Sequence, residues 1–451
     1  MKKITKAKLS VMGLGKLGAC YAAFYASKGY QIIGFDVKEE HVQAVNEGRA
    51  PVQEPELAEL IAANRKRISA ASDPEKLIGM SDVTFIVVPT PSKKDGSFST
   101  AYVVDVAKKI GPALRTKKGY HLLVLVSTVL PEDSRNAIIP ALEKYSGKKC
   151  GVDFGYCYSP SLIAIGDIIG NLRNPDFLFL GAYDKKSGNM LEEIYQDIYG
   201  GAAPIERMSV ESAELAKISL NSYVTMKITF ANILGEICSR LPHANVDDIT
   251  GALGKDKRIG QRYFRSGLGY GGPCFPRDNF AFANMAMRRG IKTPLALATH
   301  TLNELIPAKV SRFIASVSQR KKHRIGILGI SYKPKTTHFE ESQALKITQQ
   351  LLKKNYRVTL FEHMGHDHAK EILHNTVTYA ASFQDLLDKS HVMLVSNPDP
   401  LFARLPHAFN KSTAKKTIID PWGMFRQDQF PKHVTYISLG RTPLKNDPRL
   451  T

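Results

Sequence analysis

Cysteine is scarce in this chain of 451 residues: Cys20, Cys150, Cys157, Cys238 and Cys274 are five in all, widely spread and without a C-x-x-C pair. An odd, scattered set argues against a disulfide framework and a structural zinc site, and points to a reducing compartment. Tryptophan occurs once, at Trp422. No apolar run approaches the roughly eighteen clean residues that a membrane-spanning helix needs, so no membrane partner is expected. Acidic residues are in deficit, 42 against 62 Lys and Arg, giving a formal net charge of +20. That balance favours anionic partners. The basic residues are interspersed, however, and no nucleic-acid motif accompanies them, so nucleic acid is not an expected partner. Met1-Lys2-Lys3 ahead of an apolar stretch resembles a signal peptide, but Lys16 interrupts it, and a cytoplasmic protein is expected.

What is present is a globular balance: 43% hydrophobic and 23% charged residues over a length that suits two to four domains. From Lys8 a short apolar strand leads into a glycine turn, an Ala-rich helix to about Ser27, and a second strand ending at Asp36. Further apolar strands at 83–88, 122–126, 154–158 and 177–180 alternate with helical stretches, which implies a parallel sheet covered on both faces. From about Ser209 to Arg240 there is no Pro, and no Gly before Gly235; that predicts one long helix, followed by more helix to about Leu305. From Arg324 strand–helix alternation returns. The fold class expected is therefore α/β, with two Rossmann-like doubly wound parallel-sheet domains joined by a central helical domain with one long helix. The boundaries are placed at 1–205, 206–310 and 320–451.

Gly13-Leu14-Gly15-Lys16-Leu17-Gly18 is a G-x-G-x-x-G between a strand and a helix. Its glycines permit a tight turn and let backbone N–H groups approach a pyrophosphate at the helix N-terminus. Asp36, ending the next strand, can bond ribose hydroxyls and would repel a 2′-phosphate, which favours NAD over NADP. A second signal is Gly267–Asp278, GLGYGGPCFPRD. A cysteine between glycines and Pro276-Arg277-Asp278 belongs on a loop or helix start, where backbone amides lower a thiol pKa. Cys274 is thus a candidate nucleophile.

These motifs come in order with AELAKISLN in the long helix, DKRIG at 256–260, and a second α/β region opening with GISYKP. Together they resemble the UDP-glucose/GDP-mannose dehydrogenase family over nearly the whole chain. The resemblance implies NAD-dependent four-electron oxidation of the C6 hydroxyl of a nucleotide sugar, with UDP-glucose or a related UDP-hexose as first expectation. Cys274 would carry the thiohemiacetal and thioester, Lys217 and Asn221 would stabilise the oxyanion, and Asp278 would serve proton transfers with a water held by Thr128. Thr90 and Arg277 would join Gly13, Gly15, Gly18 and Asp36 at the cofactor. Arg265, Gly271, Lys333 and Ser161 would meet the nucleotide-sugar substrate, and Arg258 would reach it from the partner of a homodimer built on the long helix. The product would feed polysaccharide biosynthesis.

Three departures from the family pattern stand out. Its two glutamates after a mid-sheet strand are Ser161 and Ile165 here, an acid-arginine-glutamate-serine run reads Phe339-Glu340-Glu341-Ser342, and Asp-Gly-Arg reads Asp420-Pro421-Trp422. Ser161 cannot act unaided as a base near pH 7. These losses bear on thioester hydrolysis and on the sugar, and leave a second reading open, a catalytically impaired nucleotide-sugar binder. A third, a two-electron dehydrogenase of the hydroxyacid type, is opposed by Cys274 in its glycine loop. The cluster His363, His366, His368 with Asp367 reads as a solvent-facing loop, with metal binding the lesser alternative.

Overall fold

A computed structural model describes residues 6–163, 166–318, 324–409 and 413–441. The chain divides into two compact units, Met1–Ser219 and Leu220–Thr451. In the first, strands β1 (Leu9–Met12), β2 (Ile32–Phe35), β3 (Ile68–Ala71), β4 (Val83–Ile86), β5 (Leu122–Leu125), β6 (Gly155–Tyr158), β7 (Leu178–Ala182) and β8 (Ile205–Ser209) form one sheet in the order β3-β2-β1-β4-β5-β6-β7-β8. β1, β4 and β5 are buried along their whole length. That is why they read as continuous apolar runs, and two apolar layers cover the faces. Every pair is parallel except β6–β7. Among the described residues the link between those two strands holds the six-residue helix Ile168–Arg173, and the chain re-enters the sheet from the end at which β6 left it. Short β3 and β8, only partly buried at the sheet's edges, are not apparent from apolar runs.

The second unit holds β9 (Arg324–Leu328), β10 (Arg357–Phe361), β11 (Thr378–Tyr379), β12 (Val392–Val395), β13 (Lys416–Asp420) and β14 (Val434–Ser438), all parallel, in the order β11-β10-β9-β12-β13-β14. Counted within each sheet, the first six strands of both follow one order, 3-2-1-4-5-6, with the strand order reversing between the first and fourth strands. Between the sheets in sequence lie the long helix Val210–Cys238 and the helices Val246–Leu253, Phe275–Arg288 and Pro294–Val317. The long helix begins where the Ser209 hydroxyl accepts the Ser212 N–H at 3.1 Å, as an N-cap does. The expected α/β class, with two parallel sheets and a helical region between them in sequence, is what the structure has. No described helix is long and apolar enough to cross a membrane.

Candidate active site

In the first unit the glycine turn lies at the carboxyl end of β1, at the point where strand order reverses. Gly13 has φ +102, and a Cβ there would run into the Val87 carbonyl. Gly18 faces the Gly13 carbonyl just as closely, which seats the helix Lys16–Ser27 on the turn. Gly15 differs: at the start of that helix, a Cβ on it would meet nothing within 4 Å. Asp36 closes the turn from the end of β2, its Oδ2 accepting the Leu14 N–H at 2.6 Å while Oδ1 accepts the Lys38 N–H at 2.9 Å. His41 stands 3.3 Å from the same carboxylate.

Next along the sheet, Thr90 is buried and donates from Oγ1 to the Thr128 carbonyl at 2.6 Å. Ser127 ties the same two loops: its hydroxyl donates to the Val88 carbonyl at 2.6 Å and accepts the Val88 N–H at 3.0 Å. Thr90 and Thr128 are therefore brought together by the ends of β4 and β5. Ser161, after β6, turns a buried hydroxyl toward Tyr21 without a well-formed hydrogen bond. Burial pushes the Tyr21 hydroxyl up to about 12, so it does not serve as a base near neutral pH. Ile165 lies outside the described residues. Glu54 braces this loop by accepting the N–H groups of Gly166 at 3.0 Å and Ile168 at 3.1 Å.

In the second unit Cys274 is the N-cap of the helix Phe275–Arg288, and it is exposed while the other four cysteines are buried. Pro276 is in the first turn of that helix, where a missing N–H costs nothing. Asp278 sits one turn beyond the cysteine and its N–H bonds the Cys274 carbonyl at 2.8 Å. Its carboxylate is 1% exposed. One oxygen accepts the Asn221 amide at 2.7 Å and the other the Arg277 Nε at 3.0 Å. A buried carboxylate with both oxygens engaged by donors is held in one orientation. Lys217, buried, lies one helical turn before Asn221 on the long helix.

The remaining candidates are spread around the glycine loop of the second unit. Gly271 backs onto the Glu341 carbonyl and the Gly272 N–H bonds the Glu340 carbonyl at 3.0 Å. Arg265 donates to the Trp422 carbonyl at 2.5 Å, and the Trp422 ring packs on Gly267. The tryptophan is thus packed against the loop that carries the cysteine. Arg441 clamps the loop from behind, paired with Asp247 at 2.6 Å and donating to the carbonyls of Pro421 at 2.8 Å and Ser266 at 3.2 Å. Lys333 lies 5.8 Å over the Tyr332 ring and lines a small cavity with Lys335, Glu362 and Asn397. Arg258 pairs with Asp256 at 2.6 Å on an exposed turn, away from these groups in its own unit's hydrogen-bond network.

Three successive family patterns account for most of the chain. The NAD binding domain of the UDP-glucose/GDP-mannose dehydrogenase family matches residues 7–199, its central domain 211–305 and its UDP binding domain 326–427. This chain belongs to that family. It is 32% identical over 429 residues to a GDP-mannose 6-dehydrogenase of Pseudomonas aeruginosa, covering 92% of this chain and 96% of that protein. It is 30% identical over 416 residues to a UDP-glucose 6-dehydrogenase of Haloferax volcanii, covering 92% and 96%. A solved UDP-glucose dehydrogenase from the archaeon Pyrobaculum islandicum superposes with a TM-score of 0.88 at 29% identity, covering 98% of this chain and 99% of that one.

For a member of this dehydrogenase family the first sheet fits NAD. The open space at Gly15, the close packing at Gly13 and Gly18 and the acid at the end of β2 make the cradle that a dinucleotide needs. The turn after the first strand of the second sheet has Ser331 and Pro334 where the first sheet's turn has Gly15 and Gly18. Glu362, at the position equivalent to Asp36, likewise reaches into its turn and accepts the N–H groups of Ile330 at 2.9 Å and Ser331 at 3.3 Å. Of the histidine cluster, His366 opens the helix His366–Leu373 rather than sitting in a loop, and the three rings go to separate neighbours: His363 to Asp399, His366 to Tyr379, His368 to Phe339. Sequence reasoning passed over Glu214, Glu54 and Arg441. Glu214 stands in the quoted AELAKISLN, three residues before Lys217, and that spacing on one helix face was the available signal.

Proposed function

We propose that this chain oxidises the C6 hydroxyl of a nucleotide sugar to the uronate in two steps, with UDP-glucose or a related UDP-hexose as substrate. The observation that carries this reading is the exposed Cys274 at a helix start, one turn from an Asp278 carboxylate gripped by Asn221 and Arg277. NAD, exchanged for a second molecule between the steps, would supply the hydride acceptor for each oxidation, and the first also releases the hydroxyl proton. After the first, the Cys274 thiolate adds to the aldehyde carbon, and the carbonyl oxygen takes a proton to give a thiohemiacetal. Loss of a second hydride and that proton leaves a thioester. Water then cleaves the carbon–sulfur bond, releasing the carboxylate and the thiol.

The oxyanion formed at each attack on the carbonyl needs a fixed donor, a role assigned to Lys217 and Asn221. Asp278 is the group for proton transfer, and Thr128 holds a water, its carbonyl fixed by Thr90. With serine at 161, water activation for hydrolysis falls to these groups. Arg265, Gly271 and Lys333 are assigned to the nucleotide-sugar, and Arg258 to the substrate of a partner copy. The long helix exposes Tyr223, Phe230, Ile237 and nearby Leu241, apolar area suited to a second copy of the chain.

A GDP-sugar is the second reading, favoured by the identity to a GDP-mannose 6-dehydrogenase. The deciding experiment measures NADH formed per sugar consumed across UDP- and GDP-hexoses. About two per sugar, abolished in Cys274→Ala, is the expected result. Two NADH per enzyme followed by a halt would mean the thioester is not hydrolysed, and one NADH per enzyme a halt at the thiohemiacetal. Tight nucleotide-sugar binding with no NADH from any sugar would overturn the enzyme reading in favour of a binder.

A further inference from the structure

We propose that Glu214 is a positioning residue that fastens the turn carrying Thr128 to the long helix carrying Lys217. The inference rests on the reading above, in which both residues act in the oxidation. Glu214 is fully buried, so it does not touch a substrate. Both of its oxygens are nonetheless occupied by backbone: Oε2 accepts the Glu132 N–H at 2.8 Å and Oε1 the Ser134 N–H at 3.0 Å. Glu132 has φ +77, a conformation that costs a residue with a side chain, and the carboxylate bond compensates it.

The chain leaving β5 is therefore pinned at two places. Ser127 and Thr90 hold its start against the β4 loop, and Glu214 holds its end against the helix. Thr128 lies between the two. On the helix, Glu214 is three residues before Lys217 and seven before Asn221, so the anchor and both proposed oxyanion donors share one face. A hydrocarbon side chain would fill the same space, but only a carboxylate accepts two N–H donors that diverge from one turn.

The anchor is also sensitive to pH. Burial pushes the Glu214 carboxyl up to about 7, opposed by its bonds from Ser134 and Glu132 and assisted by the Asp133 charge. Its other neighbours are Tyr156 from the sheet and, on its own helix, Lys217 and Glu211, the latter paired with Arg135. Below neutral pH the group takes up a proton and holds two N–H donors less well.

The test is Glu214→Gln in the full chain, read in two ways. Hydrogen exchange of the Glu132 and Ser134 amides, without substrate, should quicken by roughly tenfold or more with the melting temperature little changed, as expected when local opening loses its restraint. In the wild type, protection of these amides, corrected for intrinsic rate, should fall as pH drops through 7 and be flat in the variant. With NAD and sugar, kcat should fall roughly tenfold while the KM for NAD stays within about twofold, and the acidic limb of kcat near pH 7 should disappear. Unaltered exchange, or quickened exchange with unaltered kcat, overturns the proposal. If the wild type turns over no sugar, the proposed function fails by itself and the exchange result still decides whether Glu214 is the anchor. Should the glutamine variant not fold, Glu214→Asp takes its place, with smaller changes in the same direction expected and unaltered exchange overturning the idea.

Discussion

Gly15 and Gly18 make opposite predictions although they belong to one motif. Gly15 has an extended backbone, φ −66 and ψ −172, and space where a Cβ would go. Alanine there loses some quality as an N-cap and gains by reducing the freedom of the unfolded chain, two effects of up to about 1 kcal/mol that nearly cancel. Folding of Gly15→Ala should be untouched, with a melting temperature within about 2 °C of wild type. The methyl would instead stand where a pyrophosphate approaches the helix N-terminus. Losing one charge-assisted hydrogen bond costs about 1.5–3 kcal/mol, which is roughly a 10- to 150-fold rise in the KM for NAD.

Gly18→Ala drives its methyl into the Gly13 carbonyl, so the helix must shift off the turn. Such overpacking costs about 1–3 kcal/mol, a fall of roughly 2–12 °C in melting temperature. Thermal unfolding and NAD titration at saturating sugar separate the two. An unchanged KM in Gly15→Ala, or unchanged stability in Gly18→Ala, would refute the assignment of open space to the cofactor and close packing to the fold.

Native protein treated with iodoacetamide should lose one thiol per chain, and none in Cys274→Ala, because Cys20, Cys150, Cys157 and Cys238 are each 7% exposed or less; more than one modified thiol would contradict the burial. Asn221→Ala removes one of the two donors on Asp278, and kcat should fall by about 10²–10³ with the rate of Cys274 alkylation kept, in line with other oxyanion donors. His121 is buried against Thr84 at 2.8 Å and burial lowers it from 6.5 to about 3. The fold holds the neutral ring, so this stability is complete above pH 6.5 and drains away as pH falls toward 3. By pH 4 the loss is about 3 kcal/mol, measurable by urea unfolding as a narrowing gap to His121→Asn; a constant gap would refute it.

The two sheets were legible because a buried parallel strand is an apolar run wherever it lies, and β1, β4, β5 and β12 are buried at every residue. The short, partly exposed edge strands β3, β8 and β11 lack that mark. The cysteine could be singled out because glycine and proline around it are local signs of a loop and a helix start. Its partners could be named only by resemblance, since nothing near Asp278 in sequence announces Asn221.

By itself the sequence determined the glycine turn, the acid after β2, the uninterrupted long helix and the exposed position of Cys274, because each follows from backbone freedom or periodicity within a few residues. Tertiary structure alone decided what holds these groups. Asn221 meets Asp278 across 57 positions, Arg441 meets Asp247 across 194, and Glu214 meets the Thr128 segment across 80 or more. It also decided that β7 runs against β6, and that Asp36 and Glu362 each accept a backbone N–H of the turn on the neighbouring strand. Such pairings depend on which surfaces the packed helices and strands present to one another, and residue spacing along the chain carries no record of that.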